Sequence, residues 1–240
     1  MTWSIVVRDP ASGAFGVGVA TRFLAAGGLC AHARSEVGAL STQALINPTY
    51  GPRGLAILSA GASAETTVRI LVTDDAGRET RQVHVVDRQG GAFAHTGSEC
   101  VPWCGHVSAK GVSVAGNMLA GEDVVAATLA AYQAAPMLPF ADRLLTALEA
   151  GQAAGGDRRG QQSASLLIFG TEDYPDLSLR VDDHAMPLAE LRRIYGLWLG
   201  RFAAFRTFMA TKADPVGVYD REVIEAEALR REALLGRVEN

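Results

Sequence analysis

The stretch TWSIVVRDPASGAFGVGVA, residues 2–20, decides the fold class. Residues 3–8 are a short apolar run rich in β-branched side chains, the composition of a buried strand. Asp9-Pro10-Ala11-Ser12-Gly13 is a turn cluster, and residues 14–20 read as a second strand. Two strands joined by about five residues form a hairpin, and a hairpin makes an antiparallel sheet. Gly16 and Gly18 alternate with Val17 and Val19. One face of the second strand is therefore bare, which marks a close approach by another backbone or a ligand.

Outward from this hairpin the pattern repeats. Residues 28–34 and 36–42 are two further strand candidates. The turn-rich segment Asn47–Gly54 leads into a helix from Pro52 to about Ala60, and Ser63 is an N-cap for a second helix over 64–74. Residues 80–87 and 92–96 form another hairpin, and 106–117 hold two strands around Lys110-Gly111. Helical patterns cover 121–134 and 138–153, separated by Pro136 and Pro139. Residues 163–169 and 176–181 are the last strands. The order is strands, two helices, strands, two helices, strands. Each helical pair must bury one face on a sheet. The expected fold is α+β: a four-layer αββα sandwich over residues 1–186.

From Pro187 the pattern becomes helical, over 187–212 and 220–236. Residues 187–240 are expected to form a helical extension packed on the core or on a second subunit. Trp198, Phe202, Phe205 and Phe208 recur at 3–4 spacing, one stripe of a helix. That stripe suits either intrachain packing or a homo-oligomer joined through these helices.

Bulk composition narrows the function classes. Of 240 residues 48% are hydrophobic and 20% charged, a balance that supports a full core. The net charge of −4 gives no footprint for nucleic acid or an anionic membrane. Three cysteines, Cys30, Cys100 and Cys104, do not make a disulfide framework and fit a reducing compartment. The opening MTWSIVVRDP lacks the basic region of a signal peptide, and no apolar stretch reaches the roughly 20 residues of a membrane span. A cytoplasmic location is expected.

Several positions offer chemistry. Thr2 follows Met1. Removal of Met1 would place a free α-amine, with a pKa of about 7.7–8.0, beside the threonine hydroxyl, and that pairing is a known nucleophile arrangement. Ser4 is a second hydroxyl on the same strand face. Gln43 and Asn47 are uncharged donors at a strand end, and Arg53 lies in a helical first turn. They could orient a carboxylate or an oxyanion, or simply build an Asx turn before the helix. Asn117, between a strand and a helix, is an oxyanion donor or a helix cap. Asp157-Arg158-Arg159 lies in a Gly-rich loop before an apolar strand. Guanidinium forks there suit capture of an anionic substrate group, with Asp157 holding an arginine in place; a solvated loop is the plainer reading. Cys100, Cys104 and His106 have poor zinc spacing, and thiols without metal are favoured over a zinc site. Asp182-Asp183-His184 reads as a turn before Pro187. There is no G-x-S-x-G elbow, dinucleotide fingerprint or H-E-x-x-H, and no cofactor is expected.

Taken in order, Thr2–Asp9, Gly16–Ala20, Thr42–Gly51, Asp157–Ala164 and Arg180–His184 resemble the bacterial family called domain of unknown function 1028, over residues 2 to about 197. The resemblance implies the Ntn-hydrolase superfamily and its αββα fold. It further implies an amidohydrolase of a small amide or peptide-like substrate with Thr2 as nucleophile. Gln43, Asn47 and Asn117 would then be oxyanion or orienting groups, and Arg158 and Arg159 would hold a substrate carboxylate. The alternative is a non-catalytic protein of the same fold that binds a ligand or assembles.

Overall fold

The computed structural model describes residues 2–236 and has a mixed α+β fold with two antiparallel sheets. Strands β1 (Thr2–Arg8) and β2 (Phe15–Thr21) form the opening hairpin, with Thr2 opposite Thr21 and Arg8 opposite Phe15. Asp9 shapes the turn, accepting from the Ser12 amide at 3.0 Å and its hydroxyl at 2.6 Å. Gly13 supplies the left-handed backbone there, at φ 76°.

Next come α1 (Gly27–Cys30), β3 (Ala31–Arg34) and β4 (Gly38–Ala44). The expected strand over 28–34 is thus half helical turn. A Cβ on Gly27 would lie 2.3 Å from Cβ of Ser165, so this glycine lets the turn press onto its neighbour. Helices α2 (Tyr50–Ser59) and α3 (Ala64–Thr73) follow, the latter capped by Ser63, whose hydroxyl accepts from the Thr66 amide at 3.1 Å. Strands β5 (Arg81–Asp87), β6 (Ala92–Thr96), β7 (Cys104–Ala109) and β8 (Val112–Asn117) lead to helices α4 (Asp123–Ala134) and α5 (Phe140–Ala153). Strands β9 (Ser163–Phe169) and β10 (Leu177–Val181) complete the sheets. One sheet runs β10-β9-β2-β1-β8-β7 and the other β3-β4-β5-β6.

Alternation along β1 divides its side chains. The even positions face the other sheet: the Ser4 hydroxyl reaches Ser41 and Gln43 of β4 and His84 of β5. The odd positions face α4 and α5: a Cβ on Gly151 would sit 2.8 Å from Nε1 of buried Trp3. The bare face of β2 belongs to α5. A Cβ on Gly16 would stand 2.5 Å from Cδ1 of Leu144, and one on Gly18 2.9 Å from Cδ1 of Leu148. The glycines therefore admit a helix. Replacing Gly16 with Val should overpack this contact and lower unfolding free energy by about 2 kcal/mol, read as a lower urea midpoint. Helices α2 and α3 pack on the second sheet, burying Leu40, Tyr50, Leu58, Val68 and Leu71.

The chain divides into two compact units, one ending at Leu188 and one beginning at Ala189. The first helix of the tail, α6 (Pro187–Leu197), gives way to a π-turn over Trp198–Phe202, then α7 (Ala203–Phe208) and, after a loop, α8 (Arg221–Leu235). The single helix expected over 187–212 is broken at Gly200, whose ψ of −111° leaves the helical range. Phe202 and Phe205 of the aromatic stripe are exposed, and Trp198 and Phe208 half-buried. Arg201 pairs with Glu225 at 2.5 Å, tying the π-turn to α8. No helix among the described residues is long and apolar enough to cross a membrane.

Candidate functional site

A cavity of about 570 Å³ opens where β1 begins and β4 and β8 end. Thr2, Gln43, Asn117 and Arg159 all line it. The sheet register brings them together: Thr2 lies between Thr21 of β2 and Asn117 of β8. The Thr2 hydroxyl donates to Oγ1 of Thr21 at 3.1 Å, and the Thr2 carbonyl accepts from Nε2 of Gln43 at 3.2 Å and Nδ2 of Asn117 at 3.4 Å. Both amides also donate to Oε1 of Gln82, at 2.8 and 3.0 Å. Gln43 and Asn117 thus fix the backbone of Thr2 with donors already engaged. Their geometry is that of orienting groups, and it leaves the oxyanion to other donors.

Gln82, absent from the sequence reading, is the hub. It is fully buried, and its Nε2 reaches Oγ1 of Thr96 at 2.8 Å and the carbonyls of Gly105 at 3.0 Å and Gly116 at 2.8 Å. One signal for it lies in the sequence. Gln82 and His84, Ser41 and Gln43, and Thr2 and Ser4 are each two apart, so each pair shares one strand face. Three polar pairs on buried strands must find one another.

Ser4 is placed with His84, not in the cavity. Both are fully buried, and the serine oxygen lies 2.8 Å from Nε2 of His84. Substrate contact is closed to Ser4 at that depth. Burial first, and the nearby charge of His106 second, push the His84 pKa down to about 3. In the unfolded chain histidine binds a proton near pH 6.5. The unfolded state therefore holds more protons below that pH, and stability is full above it and falls as pH drops. Between pH 7 and pH 5.5 the loss from His84 should be about 1 kcal/mol. Urea unfolding of His84→Gln at the two pH values should show a correspondingly smaller difference.

Asn47 and Arg53 also stand outside the cavity. Asn47 builds the Asx turn: its Oδ1 accepts from the Thr49 amide and hydroxyl, and its Nδ2 donates to Asp75 at 3.0 Å. That bond, with those from Tyr50 and Arg81, holds the Asp75 carboxyl well below the usual carboxylate range despite its desolvation. Arg53 makes a surface pair with Asp74 at 3.4 Å.

The arginine loop separates its members. The Asp157 carboxylate is fully buried and accepts from the Arg22 amide at 2.9 Å, the Arg159 amide at 3.0 Å, and Nε and Nη2 of Arg159 at 3.1 and 2.8 Å. It is a clasp that directs Arg159 to the cavity. Arg158 is exposed and does not line it; its amide donates to the Met118 carbonyl at 3.3 Å.

Cys100 and Cys104 donate to the carbonyls of Arg81 and Cys100, at 3.3 and 3.5 Å. Burial pushes the Cys100 thiol up to about 11. No group of three or more histidine, cysteine and carboxylate side chains that could hold a metal ion is found among the described residues. The backbone around the cavity is strained. Ala44 and Met118 line it with φ of 71° and 55°, and Ala25, at 52°, precedes the lining residue Ala26. Non-glycine residues in this region cost about 1–3 kcal/mol each and gather at functional sites.

Comparison with known proteins agrees on kinship. Residues 2–191 match the model of a family described as "Family of unknown function (DUF1028)". The crystal structure of a protein of that family from Silicibacter pomeroyi is 32% identical, covers 92% of this chain and 96% of its own, and superposes with a TM-score of 0.86. The ancestral β-subunit Anbu from Yersinia bercovieri is 13% identical, with coverage of 88% and 99% and a TM-score of 0.38. No curated protein matches the chain.

Proposed function

The chain belongs to the DUF1028 family, and from that premise we propose that it is an Ntn-type amidohydrolase with Thr2 as its nucleophile. The observation that carries the reading is the position of Thr2: at the start of a central strand, lining a cavity, with its carbonyl held by Gln43 and Asn117. Support for the αββα layering comes from the packing of α4 and α5 on one sheet and α2 and α3 on the other, with Ser4 touching both sheets' inner strands. In the same reading the helical extension after 187 joins copies of the chain, which its exposed Phe202 and Phe205 favour.

The reaction requires a free α-amine on Thr2, hence removal of Met1, whose position lies outside the described residues. The Thr2 hydroxyl attacks the amide carbonyl and its proton passes to the α-amine, a base suited to neutral pH. The tetrahedral intermediate collapses to an ester on Oγ1 as the ammonium returns the proton to the departing amine. Water then attacks the ester, gives a proton to the α-amine, and releases the carboxylate with the hydroxyl restored. Arg159, the one cation among the described lining residues, receives a substrate carboxylate.

The test is a pair of otherwise identical proteins, one beginning at Thr2 and one retaining Met1, assayed on an amide panel. Loss of the general base should lower turnover about 10²–10⁴-fold in the second. Equal turnover by the two would overturn the mechanism.

A further inference from the structure

The cavity is apolar at its mouth and carries one cation, Arg159, and one carboxylate, Glu99, among its described lining residues. Around its mouth stand Phe23, Leu29, Leu45 and Val101, each exposed, from the three connections that follow β2, β4 and β6. Ile46 and Met118 continue the apolar wall. Large apolar side chains left in water singly are ordinary, but four converging on one concavity mark a ligand site. Opposite in character is Arg159, whose guanidinium plane is set by two bonds to the buried Asp157 carboxylate. A guanidinium whose plane is fixed in this way suits a planar carboxylate more than a diffuse negative charge. Thr2 lines the same space.

We infer that the substrate class is an N-acyl amino acid: an amide joining an apolar acyl chain, laid on the mouth residues, to an amine that carries a carboxylate, held by Arg159. This rests on the Thr2 hydrolase reading for its chemistry but not for its binding. The two halves of such a molecule match the apolar mouth and Arg159, and the scissile amide between them falls to Thr2. Water adds across that bond, yielding the acyl carboxylate and the free amino acid. A volume of about 570 Å³ lies within the range of small-ligand sites.

Binding is measured apart from turnover by calorimetry on the full chain carrying Thr2→Ala, with acetyl-, butanoyl-, hexanoyl- and octanoylglycine. Each added methylene should lower Kd about fourfold, the equivalent of about 0.8 kcal/mol. Leu45→Asn should flatten this dependence. Leu229→Asn, an exposed leucine of α8, should leave it intact. Arg159→Gln should weaken every member by a common factor of about ten or more. Octanamide, which lacks the glycine carboxylate, should bind as weakly to the Arg159 form as octanoylglycine does to Arg159→Gln. Affinity independent of chain length, or octanamide bound as tightly as octanoylglycine, would overturn the inference. If the acylglycines bind as described while the chain beginning at Thr2 hydrolyses none of them, the ligand class stands and the nucleophile assignment fails.

Discussion

Thr2→Ala should lower kcat/KM for amide hydrolysis by at least about 10³-fold and leave the fold in place. The size follows from the role. Removing a covalent nucleophile eliminates the acyl-enzyme route and leaves only what binding and orientation supply. The small effect on stability follows from the surroundings. The Thr2 side chain makes one hydroxyl–hydroxyl bond, to Thr21 at 3.1 Å, and the bonds to its carbonyl from Gln43 and Asn117 do not involve the side chain. A single such bond is worth about 1 kcal/mol. Thr2→Ser, which keeps the hydroxyl, should retain turnover. Steady-state kinetics and thermal melts on the same preparations separate the two quantities. Intact turnover in Thr2→Ala would assign the chemistry to another group.

Gln82→Leu should have the largest effect on stability. Leucine is close in size but offers no hydrogen bond. The substitution takes from the amides of Gln43 and Asn117 the bond each makes to Oε1, and from the carbonyls of buried Gly116 and half-buried Gly105 the bond each accepts from Nε2. Each buried polar group left without a partner costs about 1–3 kcal/mol. With some relaxation between Gln43, Asn117 and the Thr2 carbonyl, a net loss of about 3–4 kcal/mol is expected, measured as the unfolding free energy in urea. The same variant should lose turnover beyond what its folded fraction explains, because Gln82 braces the two amides that hold Thr2. A loss near 1 kcal/mol with normal turnover would show that the hub is not needed.

Local chemistry made much of the fold legible. The β1–β2 hairpin came from a turn cluster between β-branched runs, α3 from the cap at Ser63, and the β7–β8 turn from Lys110-Gly111, where Gly111 takes φ 76°. What escaped were features set by neighbours distant in sequence. The helical turn at Gly27–Cys30 exists because the chain must press against Ser165, and no pattern within residues 28–34 records that contact. The break at Gly200 has a local signal in the glycine itself, yet glycine inside a helical pattern is often tolerated, and the apolar spacing on either side continued unbroken.

The site divides in the same way. Thr2, Gln43, Asn117 and Arg159 converge because strand register and one buried clasp aim them at a common space. Arg158 is chemically identical to its neighbour, and only the Asp157 carboxylate, gripping Nε and Nη2 of Arg159, separates the two. Ser4 shares a strand face with Thr2, as alternation requires, but one step further along the strand the space is filled by Ser41, Gln43 and His84. Asn47 lies near Gln43 in sequence and serves its own turn instead. In each case residue type gave the chemistry on offer, and the tertiary neighbour determined where it was used.

In the proposed mechanism Thr2, with its α-amine free, forms the covalent bond to substrate. That step is tested most directly by mass analysis of the N-terminal peptide from protein quenched during turnover of a slow amide substrate. A peptide beginning at Thr2 and carrying the acyl group on that residue is expected. A peptide beginning at Met1 and free of acyl group, from a preparation that hydrolyses the amide at full rate, would contradict it.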